Sequence, residues 1–477
     1  MHIPMLDCFP ATASIYDHRQ DTSYSILAFR KLVTESIGKS TKWNCRVVVS
    51  EADPIKALSL LFAHWTLGNC VVLVNPGLQP IEQQTVVEHT GASDWYGDHD
   101  ASIVPFMADN DNHDGAVPSK PKPLDVDQPA LVLMTSGTTG TPKGIVHSIR
   151  SLNARLALNN CFIDRGVSKN TLCILPLFFG HGLIGNCLTP LAAGNALHLL
   201  PSPSLAEIAQ MGSLIDNHEI TFMSSVPTFW KLVLRMQRPK KRTLQRVHVG
   251  SAPLSIPNWK AVQDWTGCSS VFNMYGMTET ANWIGGGSLA EAGQRDGFVG
   301  RIWGGVYAIR LENGEIAASG RGEVLVSSPS QMLGYLNAPE KTAEAMHGEW
   351  FRTGDIGELT AGGELTLVGR SKTEINRGGI KILAEEVDMM LERHDAVSEA
   401  CAFGVPDEVL GEAVAVAVVF NEGQAVSKSE LRSWCRTQVR AEAVPTQYIF
   451  TDAIPKNARG KIVRRDVMAL LQGSTTL

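Results

Sequence analysis

Residues 131–144, LVLMTSGTTGTPKG, hold the densest run of chemically useful groups in the chain. An apolar segment leads into Thr135, Ser136, Gly137, Thr138, Thr139, Gly140 and Lys143. Glycines let successive N–H groups turn toward an anion, hydroxyls add donors and a lysine adds charge. The chemistry such a loop can do is phosphate binding. It is not the common P-loop, which needs Gly directly before Lys, because Pro142 stands there. A flexible Gly/Thr surface turn is the competing reading. Ser136 is no hydrolase nucleophile either, since Met134 occupies the place where GxSxG requires Gly.

Other candidates are sparser. Glu279 in YGMTET could be a hard oxygen ligand or a solvated acid, and Tyr275 a stacking platform or a core aromatic. Asp355 follows a Gly in RTGD and could serve a ligand or cap its own turn. Lys461 lies in a terminal stretch, 428–477, with 9 basic against 4 acidic residues, where a solvated basic run is the bland alternative. The histidines lack helical or clustered spacing, so none is assigned to a metal. Nine cysteines, odd in number and without a CxxC pair, predict reduced thiols in a cytoplasmic protein.

Short apolar strands alternate with amphipathic helices and must position these groups. Strands are expected at 131–134, 171–175, 196–200, 221–225 and 246–249. Helices are expected at 148–162, 205–217, 228–236 and 256–265. Such alternation predicts α/β layers with parallel strands, whose ligands sit where loops leave the strands' carboxyl ends. Residues 109–128 read as a mobile surface connection. From about Gly314 the texture turns to short strands and Gly-rich turns, and a smaller α+β unit follows Arg370. The 477 residues fit two or three folding units, with a large domain 1–370 and a small one 371–477. With 44% apolar residues and a net charge of −6, disordered, fibrous and polyanion-seeking classes are excluded, so neither nucleic acid nor a membrane is an expected partner. No secretory signal or 20-residue apolar span is legible, and the stretch 57–74 reads as a buried helix running into a strand.

TSGTTGTPKG resembles the signature of the adenylate-forming superfamily, which holds acyl-CoA synthetases, peptide-synthetase adenylation domains and luciferases. Collinear matches follow in VGSAPLS (249–255), YGMTET (275–280), WFRTGD (350–355), GRSKTEINRGGIKILAEEVD (369–388) and PKNARGKIVRR (455–465). The resemblance spans about residues 55–467. It implies an α/β fold: a large N-terminal domain of layered α/β sheets with a distorted β-barrel, and a small mobile α+β C-terminal domain. It further implies ATP-dependent conversion of a carboxylic acid to acyl-AMP, aided by Mg²⁺, then transfer to a thiol, that of CoA or a carrier-protein phosphopantetheine. Transfer to an amine is a further option, and an oligomer is compatible with all of these.

The resemblance also implies roles. The loop 135–140 with Lys143 would hold the β- and γ-phosphates. Tyr275 would stack on adenine, beside Asn273, Met274 and Gly276. Thr278 would contact the α-phosphate and Glu279 would hold Mg²⁺. Asp355 would take the ribose hydroxyls, and Arg370 the ribose or the α-phosphate. Gly250, Ser251 and Ala252 would floor the site between adenine and acyl group. Lys461 would bridge carboxylate and α-phosphate, Lys372 would be the hinge, and Gly378–Gly379 would face the pantetheine arm. Around Phe179, His181, Gly182, Ser225 and Trp283 the acyl pocket carries no acid where amino-acid-activating relatives place an Asp. The stretch 178–194 is similar to that of benzoate–CoA ligases, which implies an aryl or apolar acid. Two features depart from the family pattern: an abbreviated region before the phosphate loop, and Asn376 where many relatives carry Lys.

Overall fold

The computed structural model describes residues 3–40, 42–100, 125–135, 143–457 and 460–473. Ser136, Gly137, Thr138, Thr139 and Gly140 lie outside these, as does most of the expected surface connection. Five strands, Ala196–Leu199, Asn170–Cys173, Phe222–Ser225, Arg246–Gly250 and Val271–Met277, run parallel in that spatial order. Most are buried along their length, as near-continuous apolar runs between covering helices should be. Asn282–Ser288 and Phe298–Ile302 extend the sheet antiparallel. At the other edge the hairpin of Ser14–Asp17 and Thr22–Ser25 joins it.

The strands expected to close into a distorted barrel do not do so. Leu365–Arg370, Trp350–Leu359, Gly320–Ser327 and Val306–Arg310 continue the same hydrogen-bonded path, which ends on Ile316–Ala317. No pairing among the described residues joins that end back to Phe298–Ile302, so the sheet stays open.

A second sheet runs Gly334–Tyr335, Lys143–Ser148, Pro129–Thr135, Cys70–Leu73, Arg46–Ser50 and Asp94–Gly97. Helix Pro54–Thr66, capped by Asp53 accepting from the N–H groups of Ile55 and Lys56, packs between the sheets. The expected helix 205–217 is two helices, Leu205–Ala209 and Met211–Asn217. At Gly212 a Cβ would lie 2.4 Å from the Gln237 carbonyl oxygen, so a side-chain-free contact fixes the second helix independently of the first. From Glu374 onward a separate five-stranded sheet forms, with its own core around Val387, Ala400, Val416 and Leu431. Among the described residues no helix is long and apolar enough to cross a membrane.

Candidate active site

The site grows from the carboxyl ends of the parallel strands. Strand Arg246–Gly250 ends in Ser251, whose φ of +69° turns the chain sharply. Strand Val271–Met277 ends in a single turn, Thr278–Thr280. After Asn170–Cys173 comes an eight-residue π-helix, His181–Leu188. Periodicity could not announce this element, because its wide turn repeats neither at 2 nor at 3.6 residues; such segments recur at functional sites. At Gly182 a Cβ would stand 2.2 Å from the Pro176 carbonyl oxygen, and at Gly185 2.0 Å from Asn282 Nδ2. Both glycines let the π-helix lie against its neighbours.

His181 opens that helix between two hydroxyls. Its Nε2 meets Ser224 Oγ at 2.6 Å and its Nδ1 meets Ser251 Oγ at 2.9 Å. Burial, with the Lys461 cation adding to it, lowers its pKa to about 3. A neutral imidazole donates through one nitrogen and accepts through the other, so the two serines fix the ring. Ser224 carries no motif and escaped sequence reading; its neighbour Ser225, equally buried, turns away from His181, donating to the His248 carbonyl at 3.0 Å and accepting from Trp230 Nε1 at 2.7 Å.

Lys461 reaches this site because the small unit is docked on the large one. Gly460, at φ +72°, packs so closely that a Cβ there would lie 2.5 Å from Thr228 Oγ1. Asn457 ties the turn, accepting from Lys461 N at 3.1 Å through its side chain. Ion pairs hold the units together: Lys231 Nζ to Glu399 Oε2 at 3.1 Å, and Arg393 Nη2 to Asp296 Oδ2 at 2.5 Å. Lys456 also reaches Glu399, at 2.7 Å.

Asp355 and Arg370 stand directly opposite on paired strands. Arg370 Nε lies 2.7 Å from Asp355 Oδ1, and Tyr275 Oη donates to Asp355 Oδ2 at 2.6 Å. Asp355 is 8% exposed, whereas the Arg370 side chain is 55% exposed. The pair is therefore an organised acceptor with a solvent-facing partner. Burial, then the Asp355 charge, keeps the Tyr275 hydroxyl protonated.

Thr135 and Lys143 are register partners, where strands Pro129–Thr135 and Lys143–Ser148 pair. Lys143 Nζ sits 4.8 Å above the ring of Tyr335, whose hydroxyl donates to Glu279 Oε1 at 3.0 Å. His147 Nε2 meets the Thr278 carbonyl at 2.7 Å, holding the Thr278–Glu279 turn against strand Lys143–Ser148. Neither Tyr335 nor His147 belongs to a motif, and only the pairing of Gly334–Tyr335 with Lys143–Ser148 brings Tyr335 in.

Asn273 is 4% exposed and donates to the Phe298 carbonyl at 3.0 Å, bracing the sheet. Met274 and Trp283 are buried beneath Gly250 and His181. Gly276 presses on the Asn282 carbonyl, where a Cβ would come within 2.3 Å. Phe179 and Ala252 are half-buried. Lys372 lies in the short turn Ser371–Thr373 joining the two units, beside Thr373, which donates to Glu385 at 2.8 Å. Gly378 and Gly379, at φ +60° and +84°, form the tight turn of the hairpin Glu374–Leu383 on the exposed surface of the small unit.

Residues 45–336 match the model of the AMP-binding enzyme family, and residues 386–461 that of the AMP-binding enzyme C-terminal domain. An oxalate–CoA ligase of Arabidopsis thaliana is 36% identical over 352 residues, 72% of this chain and 67% of that protein. A sulfoacetate–CoA ligase of Cupriavidus necator is 32% identical over 371 residues, 76% of this chain and 71% of that protein. The fold matches that of ATP-bound MatB from Rhodopseudomonas palustris, with a TM-score of 0.86 at 23% identity over 99% of both chains. It also matches o-succinylbenzoate CoA synthetase from Bacillus subtilis in complex with AMP, with a TM-score of 0.83 at 21% identity over 98% of both chains.

Proposed function

This chain belongs to the AMP-binding enzyme family, and from that premise we propose that it is an AMP-forming acid–thiol ligase that makes acyl-CoA through an acyl-adenylate. The observation that carries this reading is the approach of Lys461, from the small unit, to His181, which is held between Ser224 and Ser251 of the large one. We assign the large unit to residues 1–370 and the small, swinging unit to 371–477.

In the first half-reaction a carboxylate oxygen attacks the α-phosphorus of ATP and the bond to pyrophosphate breaks. Negative charge gathers there, so prearranged cations and donors lower the barrier. Lys461 neutralises the carboxylate and α-phosphate as they meet, and Lys143 with the loop 135–140 holds the departing phosphates. Thr278 contacts the α-phosphate. Asp355 accepts from the ribose hydroxyls and is held in place by Arg370 and Tyr275. The donor set suits a hard cation: Glu279 keeps one oxygen on Tyr335 and offers the other, so it would hold Mg²⁺, which supplies charge neutralisation. In the second half-reaction the small unit turns about Lys372, and the Gly378–Gly379 turn admits the pantetheine arm of CoA. The thiol sulfur then attacks the acyl carbon and AMP leaves.

The acid we favour is aryl or apolar, supported by Met274 and Trp283, buried against Gly250 and His181. A second reading, a short acid with a polar far end, is favoured by unpartnered polar atoms behind His181. Both ring nitrogens of His248 and Trp283 Nε1 are buried without a hydrogen-bond partner among the described residues. Acid-dependent ATP–pyrophosphate exchange across aryl, aliphatic, dicarboxylic and amino acids separates these readings. Turnover of the best acid with and without CoA then tests the acceptor. Exchange without a CoA-dependent product would point to a carrier protein or an amine.

A further inference from the structure

Three histidines far apart in sequence come together at the edge of the large sheet, away from the strands that carry the nucleotide-side residues. His18 follows strand Ser14–Asp17, with its N–H bonded to the Leu199 carbonyl at 3.1 Å. His198 lies within strand Ala196–Leu199, in register with Tyr16. His218 caps the helix Met211–Asn217. One nitrogen from each ring lies within 4.8 Å of the other two. Ring centroids are 4.5 Å apart for His18 and His218, and 5.4 Å for each of the other two pairs.

One feature separates this group from an ordinary packed cluster. His18 Nε2 and His198 Nδ1 are buried without a hydrogen-bond partner among the described residues. Buried polar atoms are seldom left so, and each such atom calls for a reason, an absent ion among them.

We propose that His18, His198 and His218 form a three-histidine site for a zinc-class divalent cation, with water completing a tetrahedron. Zn–N bonds of about 2.0–2.1 Å set ligand nitrogens about 3.3 Å apart, so small ring rotations close the present spacing. Imidazole suits zinc and its neighbours rather than Mg²⁺, which prefers oxygen. The site is therefore chemically distinct from the one that Glu279 offers. Its three ligands come from the terminal hairpin, a core strand and a covering helix, so a bound ion pins the hairpin Ser14–Ser25 to the sheet.

The test uses the full-length protein stripped with chelator and returned to chelator-free buffer. Zinc is added, excess removed by gel filtration, and retained metal counted by mass spectrometry. Cobalt titration in parallel reads geometry from its visible absorption. One zinc per chain is expected, with an intense tetrahedral cobalt band and a raised melting temperature. His218→Gln, on the half-buried helix end, and His18→Gln should each weaken binding by about 100-fold or more, exceeding the 10–100-fold usual for an outer partner. Both variants should keep ATP–pyrophosphate exchange assayed with Mg²⁺ and without zinc, which shows that they are folded. Absence of retained zinc, an octahedral cobalt spectrum, or equal retention by the variants (metal held by thiols) would each overturn the proposal.

Discussion

Gly460→Ala is the sharpest perturbation of the closed arrangement. Gly460 sits one residue before Lys461 and against Thr228 of the large unit, where a methyl group would stand 2.5 Å from Oγ1 and 3.1 Å from Cγ2. Two costs follow, and they differ in kind. The φ of +72° is unfavourable for alanine by about 1–2 kcal/mol, but that strain is local and weighs on the turn in every domain arrangement. The overlap with Thr228 exists only when the units are docked. Overpacking costs about 1–3 kcal/mol, and a threonine side chain at an interface gives way toward the lower end. Taking about 1–2 kcal/mol, the adenylating arrangement loses about 5- to 30-fold in population. Acid-dependent ATP–pyrophosphate exchange should fall by that factor, while thiol transfer from a supplied acyl-adenylate holds near its original rate. Thr228→Ala in the same chain removes the overlap but not the φ strain, so the double variant should recover most of the exchange. Equal loss in both half-reactions, or no recovery in the double variant, would refute the docking argument.

The other predictions concern the ribose acceptor, the interface and its protonation. Asp355→Asn removes the charge that Tyr275 and Arg370 organise; hydrogen bonds to charged groups are worth about 1.5–3 kcal/mol, so KM for ATP should rise about 10- to 100-fold in steady-state kinetics. Lys231→Ala breaks the link to Glu399, and adenylation should slow with rising salt less steeply than in the parent while thiol transfer is spared. Tyr335→Phe takes a donor from Glu279 and should shift the Mg²⁺ requirement about 2- to 10-fold, read by titrating Mg²⁺ in the exchange assay. Glu392 lies where the units meet, near Asn258, and burial raises its pKa to about 7, with Asp388 and Glu399 adding to the rise and Lys231 opposing it. A carboxyl raised on closing binds protons more tightly in the closed form, so closing weakens as pH climbs from the ordinary carboxylate range to about 7 and levels off above it. The ratio of adenylation to thiol-transfer rate should decline across that window, and Glu392→Gln should flatten the decline.

The sequence carried those parts of the molecule whose physics is local. Parallel strands read as apolar runs because burial on both faces demands it, and the helices 149–162 and 256–266 sit close to where side-chain spacing put them. Motif residues such as Glu279, Asp355 and Lys461 were legible because their neighbours are fixed by the same chemistry. Ser224, Tyr335 and the His18–His198–His218 group were not, since each acquires its partners only when strands distant in the chain pair. The π-helix at His181 escaped for a different reason: its geometry rests on Gly182 and Gly185 meeting backbone and side chains far away in sequence. Sheet closure failed as an expectation because pairing of distant edges is set by three-dimensional register, which strand-like composition does not encode.

The central claim is that the amine of Lys461 acts in making the adenylate and then leaves. Single-turnover measurement of both half-reactions in Lys461→Ala tests it most directly. Formation of acyl-AMP from acid and ATP should drop to near background, while synthetic acyl-AMP with CoA should still yield thioester at close to the parental rate. Loss of both steps to the same extent, or adenylate formation at an undiminished rate, would contradict it.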